Sequence, residues 1–138
     1  MTNENTGIVQ RALAGLIETG DVDALGAHLS DDFVHHRPGA VTSTKAEWLA
    51  AVRAALVPLA GMQVEIHQVL ADGDHVVMYS RRWLPAGGPE IAVVDMWRLG
   101  DGLITEGWEI IEPTAQVAAN LVWWEAVMSP RPGGSPGT

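Results

Sequence analysis

The residues whose types and spacing suggest chemistry in this sequence are acids, histidines and arginines. The chain contains no cysteine. Thiol nucleophiles, thiolate metal sites and disulfides are therefore excluded. Two acidic residues, Asp95 and Glu109, fall in consecutive segments with strand-like alternation. If both carboxyl groups enter one apolar cavity, desolvation and mutual repulsion raise the pKa of at least one of them. Such a pair predicts proton transfer next to a carbonyl group or an epoxide.

The elements that would position these residues are helices in the first part of the sequence and strands in the second. Apolar spacing predicts a helix over 6–19 and a short one over 22–29, followed by a strand over 33–36. Thr44 and Glu47 have the spacing of a capping box, which opens a helix that ends near Pro58.

The second part alternates between apolar and polar residues, with glycine and proline turns in between. The predicted strands cover 62–70, 75–84, 90–99 and 103–111. A final helix is predicted from Thr114 to Met128, and the Pro- and Gly-rich residues 129–138 are expected to form a disordered tail. The sequence thus predicts one α+β domain over 1–128, a sandwich of helices against a curved antiparallel sheet.

Composition limits the partners. The chain has 8 basic and 17 acidic residues and a formal net charge of −9, so it lacks the basic face that nucleic acid or an anionic membrane would require. No apolar stretch approaches the roughly 18 residues of a membrane-spanning helix. The N-terminus lacks the basic start of a secretion signal, and we expect a soluble cytoplasmic protein.

Two segments of the sequence resemble a known family. The first runs from Gly20 to Leu25 and continues into the acidic–aromatic–histidine stretch 31–39; the second covers 94–99 and 104–109 across the Gly102 turn. In these segments and in the order of elements the chain is similar to the SnoaL-like polyketide cyclases of the nuclear transport factor two superfamily. The resemblance implies a cone-shaped fold whose concave sheet encloses a pocket.

The resemblance also implies which strand faces point inward. Asp95 falls where ketosteroid isomerases carry a protonated oxyanion-hole Asp, and Glu109 where SnoaL-like cyclases keep a catalytic Asp. Because strand neighbours face opposite sides, Val93 and Trp97 then point inward with Asp95, and Gly107 and Ile111 with Glu109. We therefore expect the two carboxyl groups to be neighbours in one cavity.

Arginines and one histidine are the expected companions of this pair. Arg82 shares a strand face with Met78 and Ser80, whereas its neighbour Arg81 must point to the other side. By the resemblance, Arg37 occupies the position of the general-base Asp of ketosteroid isomerases. His35 shares the parity of Arg37 and is a candidate hydrogen-bond donor or proton shuttle. His36 points the opposite way, so the two histidines do not predict a metal site, and we expect no cofactor.

Departures from the family patterns narrow the chemistry. Leu13 replaces the oxyanion-hole Tyr of ketosteroid isomerases, and Arg37 replaces their base. Ser80 and Arg82 stand where limonene-type epoxide hydrolases carry an Arg–Asp pair. Gly107 replaces a His that SnoaL-like cyclases often carry, which predicts a larger cavity and one proton carrier fewer.

These observations predict a cofactor-free cyclase or isomerase that acts on a hydrophobic, polyketide-like substrate. Glu109 would transfer the proton, while Asp95, with Arg82 or Arg37, would orient a carbonyl group. The expected apolar binding wall comprises Leu13, Leu16, Ile17, Trp48, Met78, Ser80, Val93, Trp97 and Ile111. Two alternatives remain open: a binding module without chemistry, and an epoxide-opening enzyme that uses the same two carboxyl groups.

The opposite face of the predicted sheet suggests self-association. Met96, Trp108 and Ile110 share this outer face, which is apolar enough to require cover. Burial between two copies predicts a homodimer. Cover by the closing helix, through Val122, Trp123 and Val127, is the alternative.

Overall fold

The computed structural model describes residues 2–85, 87–88 and 90–113. The predicted final helix, the predicted tail and the candidate cover residues Val122, Trp123 and Val127 lie outside the described residues. The described elements follow in chain order: α1 Thr2–Thr19, α2 Val22–Gly26, β1 Leu29–Arg37, β2 Val41–Thr44, α3 Lys45–Leu56, β3 Gln63–Asp72, β4 His75–Trp83, β5 Ile91–Gly100 and β6 Leu103–Pro113.

Local sequence signals determine where the helices begin and end. Gly20 adopts φ 69° directly after α1, a left-handed conformation that glycine accepts without strain. The Asp21 side chain accepts a hydrogen bond from the backbone N–H of Asp23 and thereby caps α2. At α3 the capping box between Thr44 and Glu47 is present in both directions, which confirms that prediction.

The six strands form one sheet in the order β2-β1-β6-β5-β4-β3. The pairs β3–β4, β4–β5 and β5–β6 are antiparallel, as is β1–β2, but β1 runs parallel to β6. The expectation of a wholly antiparallel sheet is therefore wrong for this one pair. The partner strands here are far apart in the sequence, so no hairpin dictates their relative direction. Strand β2 was absent from the predicted elements, because its four residues carry no apolar alternation.

The core lies between the helices and the concave face of the sheet. Its largest members are aromatic, with Trp48 of α3 packed between Phe33 and Trp97. The remaining buried members of the cluster are Val9, Ala12, Leu25, Leu29, Val76, Leu99 and Ile104. The predicted α+β class is confirmed. No helix within the described ranges is long and apolar enough to cross a bilayer.

The outer face of the sheet carries a stack of rings around Trp108. The His36 ring lies 5.3 Å from it and the His75 ring 6.2 Å, both stacked. Glu106 joins His36 at 2.6 Å and Arg98 at 2.9 Å. His36 therefore has structural partners on this face. The homodimer through this face stays a prediction.

Candidate functional site

Three neighbouring strands bring three of the five predicted catalytic residues into one row. Asp95 of β5 lies directly opposite Glu109 of β6, so the two carboxyl groups are neighbours as expected. Beyond Glu109, Arg37 of β1 reaches its carboxylate with a 3.0 Å contact between Nη2 and Oε1. On the other side of Asp95, Met78 of β4 is its register partner. The row runs across the concave face of the sheet.

Asp95 is the most deeply buried acid of the row, with 1% of its surface exposed. Burial is the largest influence on its carboxyl group and raises its pKa from 3.8 to about 7. The charge of Glu109 and a hydrogen bond with it raise this pKa further, whereas the charge of Arg82 opposes the shift. Near neutral pH the group can therefore both give and take a proton.

Arg82 is fixed at two points. Its Nη2 donates to Asp95 Oδ2 at 2.9 Å, and its Nε donates to Ser80 Oγ at 3.2 Å. Arg81 points to the opposite side, where it pairs with Glu90. Arg82 therefore lies on the same face as Asp95 and Arg81 on the opposite face, in agreement with the alternation of side chains along a strand.

Ser80 is fully buried, and its contact is with Arg82. In a Ser80→Ala variant, Arg82 loses one of its two anchors. We expect the pKa of Asp95 to rise by up to about one unit, because the opposing positive charge is held less closely. Carbon-13 NMR titration of aspartate-labelled protein measures this shift. Arg82→Gln should raise the pKa more; an unchanged pKa in both variants would contradict the assignment.

The charges of the row and of Arg82, which contacts it, are unbalanced when Asp95 holds its proton. Arg82 and Arg37 are then two positive groups against the single carboxylate of Glu109. The Glu109 side chain is 12% exposed, while that of Arg37 is 52% exposed and reaches the surface. A net positive site of this kind stabilises negative charge that develops on a substrate oxygen.

His35 lies one step deeper on the same face of β1 and is also buried, with 2% exposure. Burial lowers its pKa from 6.5 to about 4, and the charge of Arg37 acts in the same direction. Its ring stacks on Trp48 at 4.7 Å. At neutral pH His35 is therefore an uncharged imidazole, able to donate one hydrogen bond and accept another.

Gly107 explains how the rings beside His35 pack. A Cβ atom at this position would lie 2.6 Å from the Trp97 ring and 3.2 Å from His35 Cδ2. The expectation that Gly107 enlarges the cavity is wrong, because Trp97 occupies the space that a side chain would fill. Strand parity places Trp97 on this face, but the direction in which its ring leans depends on tertiary packing.

The structure has a cavity of about 520 Å³ at the end of the helices. Residues 59–64 line it together with Leu16, Ile17, Gly20 and Leu56. All its described lining residues are uncharged, and they include neither Asp95 nor Glu109. The cavity and Asp95 are connected through the sheet: Val64, which lines the cavity, is the register partner of Arg82, and Arg82 donates to Asp95.

The predicted binding wall divides between this cavity and the core. Leu16 and Ile17 line the cavity, whereas Trp48 and Trp97 belong to the core cluster and Leu13 packs against it. Met78, Ser80 and Val93 are fully buried on the sheet. Ile111 pairs with Val93 but is 40% exposed.

The lining residues 59–64 were not predicted as part of a site: residues 59–61 were expected to connect α3 to β3, and residues 62–64 to begin a strand. The signal was the apolar spacing of Leu56, Leu59 and Met62, which continues the helical pattern past Pro58. Among the residues that the structure describes, no group of three His, Asp or Glu side chains could hold a metal ion.

Helices pack against the concave face of the six-stranded sheet, an arrangement similar to the cone-shaped α+β fold of NTF2-like structures. The sequence matches the model of the SnoaL-like domain over residues 9–107. The chain therefore belongs to the SnoaL-like domain family. A comparison with curated proteins found no match.

Solved structures support the fold. AclR from Streptomyces galilaeus, a proposed hydroxylase, is 19% identical with a TM-score of 0.73, over 91% of this chain and 95% of AclR. An LEH-like epoxide hydrolase from M. tuberculosis is 22% identical with a TM-score of 0.66, over 93% and 98%. IdmH from Streptomyces antibioticus, a proposed polyketide cyclase, is 22% identical with a TM-score of 0.62, over 80% and 96%. At such identities the likeness concerns the fold, which hosts more than one activity.

Proposed function

We propose that this protein is a cofactor-free cyclase or isomerase that acts on a hydrophobic, polyketide-like ketone by proton transfer at Asp95. The observation that carries the proposal is the buried Asp95 carboxyl group, whose pKa of about 7 places both protonation states within reach near neutral pH. Membership of the SnoaL-like family and the uncharged cavity support a hydrophobic substrate.

Burial distinguishes the two carboxyl groups, since each is paired with an arginine: Asp95 with Arg82 at 2.9 Å and Glu109 with Arg37 at 3.0 Å. Asp95 is 1% exposed, whereas the Glu109 side chain is 12% exposed, so we assign Glu109 to orienting Asp95 and balancing charge. Asp95 is the proton carrier. This assignment reverses the sequence-based expectation, in which Glu109 transfers the proton.

The step that the site would promote is enolisation. The ionised Asp95 removes a proton from the carbon next to a carbonyl group, and the electron pair of that bond moves onto the carbonyl oxygen. Arg82 and the now neutral Asp95 face the resulting enolate with net positive charge. Return of the proton to a different carbon completes an isomerisation. Attack of the enolate carbon on a second carbonyl, whose oxygen takes the proton, closes a ring.

A binding module without chemistry is the second candidate, and one observation favours it. Asp95 is 1% exposed, and the described cavity lining does not include it. A protein that only binds would show affinity for an apolar ligand without any proton transfer.

Exchange of hydrogen for deuterium separates these functions without knowledge of the natural substrate. The probe is 2-tetralone, a hydrophobic ketone, in deuterium oxide near neutral pD, with deuterium uptake at the α-carbon followed by proton NMR. We expect the protein to accelerate uptake and Asp95→Asn to reduce the acceleration by about 100-fold or more. Asn keeps the size of the side chain but cannot exchange the proton.

The matched control is Glu112→Gln, which removes an exposed carboxylate from the same strand as Glu109. It should keep the parent rate. Parent protein that binds 2-tetralone without accelerating uptake would support the binding module instead. Equal acceleration by the parent and Asp95→Asn would exclude Asp95 as the proton carrier.

A further inference from the structure

The cavity of about 520 Å³ lies beyond the carboxyl ends of two helices. Leu16 and Ile17 line it from the last turn of α1, and Gly20 follows that helix directly. Leu56, the last residue of α3, also lines it. The carboxyl end of a helix carries partial negative charge and carbonyl groups without a partner in the helix. Both helices therefore offer hydrogen-bond acceptors to a molecule in the cavity.

Two of these carbonyl groups belong to lining residues and have no backbone partner. Past α1, the chain donates a hydrogen bond to the carbonyl oxygen of Leu16, and past α3 it donates one to that of Ala55. The carbonyl oxygens of Ile17 and Leu56, one residue further along each helix, receive no backbone hydrogen bond from the described residues. These two oxygen atoms can therefore accept hydrogen bonds from a ligand.

Positive charge is scarce in the segments that form the cavity. Neither stretch of sequence that supplies the lining, 12–36 or 54–80, contains a lysine or an arginine. The last turn of α1 carries Glu18 and no basic residue. Among the described lining residues Gln63 has an amide group, and its Nε2 already donates to the carbonyl oxygen of Gly61 at 3.2 Å. A ligand here meets acceptors rather than cations.

Two arginines flank the lining, one in the sequence and one in strand register, and both are paired. Arg53, in the last turn of α3, contacts Asp23 of α2 at 3.3 Å. Arg82, the register partner of Val64, donates to Asp95 at 2.9 Å. An anionic ligand would have to compete with a carboxyl group for either arginine.

We propose that the cavity selects uncharged hydrophobic ligands that carry an N–H or O–H donor, and that it excludes anionic ones. A carboxylate or phosphate group would face two helix ends of its own sign and no positive side chain among the described lining residues. A hydroxyl or amide group would instead donate to the carbonyl oxygens of Ile17 and Leu56.

The proposal deepens the proposed function, on which it rests for identifying the ligand as the substrate. It narrows the substrate to an uncharged ketone with a hydroxyl or amide group at a distance from the reacting carbonyl. The selection itself is a property of the cavity and does not depend on proton transfer at Asp95.

Three probes of nearly the same shape test the selection. They are 2-naphthamide, 2-acetylnaphthalene and 2-naphthoate, which present an uncharged donor and acceptor, an uncharged acceptor and an anion. Equilibrium dialysis near neutral pH measures the affinity of each for the parent protein. We expect 2-naphthamide to bind about fivefold more tightly than 2-acetylnaphthalene, and about tenfold or more tightly still compared with 2-naphthoate.

Lysine substitutions test where the selection arises. Leu59 lines the cavity, whereas Val57 in the same turn is 81% exposed and is not among the described lining residues. Leu59→Lys should tighten the binding of 2-naphthoate by about tenfold, because its ammonium group can pair with the carboxylate. The matched control Val57→Lys adds the same charge outside the cavity and should change this affinity by less than about twofold.

Two further variants keep the test independent of folding at one position. Ile17→Lys brings the same charge to the cavity from α1 and should act like Leu59→Lys. Ala60→Trp fills the cavity and should abolish the binding of all three probes. Circular dichroism establishes which variants are folded, and either folded lysine variant in the cavity decides.

Four results would overturn the proposal. In the parent they are 2-naphthoate or 2-acetylnaphthalene bound as tightly as 2-naphthamide, and no binding of any probe. In folded variants they are an equal response to lysine at positions 57 and 59, and binding that survives Ala60→Trp. Dialysis measures binding without turnover, so the selection can hold even if the exchange assay shows no proton transfer by Asp95.

Discussion

Asp95→Asn is expected to gain about 4 kcal/mol of stability relative to the parent protein when the pH is raised from about 4 to about 8. In the folded parent the pKa of Asp95 lies at about 7, compared with 3.8 for an unperturbed carboxyl group. Between these values the folded state keeps a proton that the unfolded chain has released. Raising the pH therefore favours unfolding over this interval, and the loss is complete once the pH exceeds the folded pKa.

Asparagine removes this loss because it does not ionise. The attraction between ionised Asp95 and Arg82 is already contained in the pKa of Asp95 and needs no separate correction. Any pH-independent difference between the protonated aspartate and asparagine cancels when the same two proteins are compared at two pH values. Urea unfolding followed by tryptophan fluorescence, at several pH values, measures the difference.

The exposed control Glu112→Gln should follow the parent at every pH. If the stability difference between Asp95→Asn and the parent were the same at both ends of the range, Asp95 would have an ordinary pKa. In that case the proton-transfer proposal would lose the observation that carries it.

His35→Phe is expected to show the opposite pH dependence, with an effect of about 3 kcal/mol. The pKa of His35 is lowered from 6.5 to about 4 in the folded protein. As the pH falls through this interval, the unfolded chain binds a proton that the folded state excludes, so the parent loses stability towards acid. Phenylalanine keeps a ring against Trp48 and does not titrate, so the variant should not lose stability in this way.

Asp95 and His35 have opposite effects on how the stability of the parent depends on pH. The free energy of unfolding of the parent should therefore be nearly constant between about pH 4 and pH 6.5. Asp95→Asn exposes the His35 slope, and its stability should rise with pH. His35→Phe exposes the Asp95 slope, and its stability should fall. The double variant should be flat again, and its deviation from additivity measures how strongly the two residues are coupled. A His35→Phe profile parallel to that of the parent would show that His35 does not titrate below its ordinary range.

The sequence determined the elements and the faces on which their side chains lie. Capping residues and apolar spacing placed the helices, and alternation placed four of the six strands closely. Strand parity separated Arg81 from Arg82, because the two-residue period of a strand is a local property of the backbone. The family resemblance and the hairpin at Gly102, together with parity, predicted that Asp95 and Glu109 are neighbours. Family resemblance supplied which of the two faces is concave.

Only the tertiary structure decided what those side chains meet. The parallel pairing of β1 with β6 carries Arg37 to Glu109, and it joins segments about 70 residues apart that no local pattern relates. The ring of Trp97 covers Gly107, although a missing side chain suggested open space, because packing direction depends on neighbours from other elements. The pKa values of Asp95 and His35 likewise follow from burial, which is a sum over the whole fold and cannot be assigned to any residue in isolation.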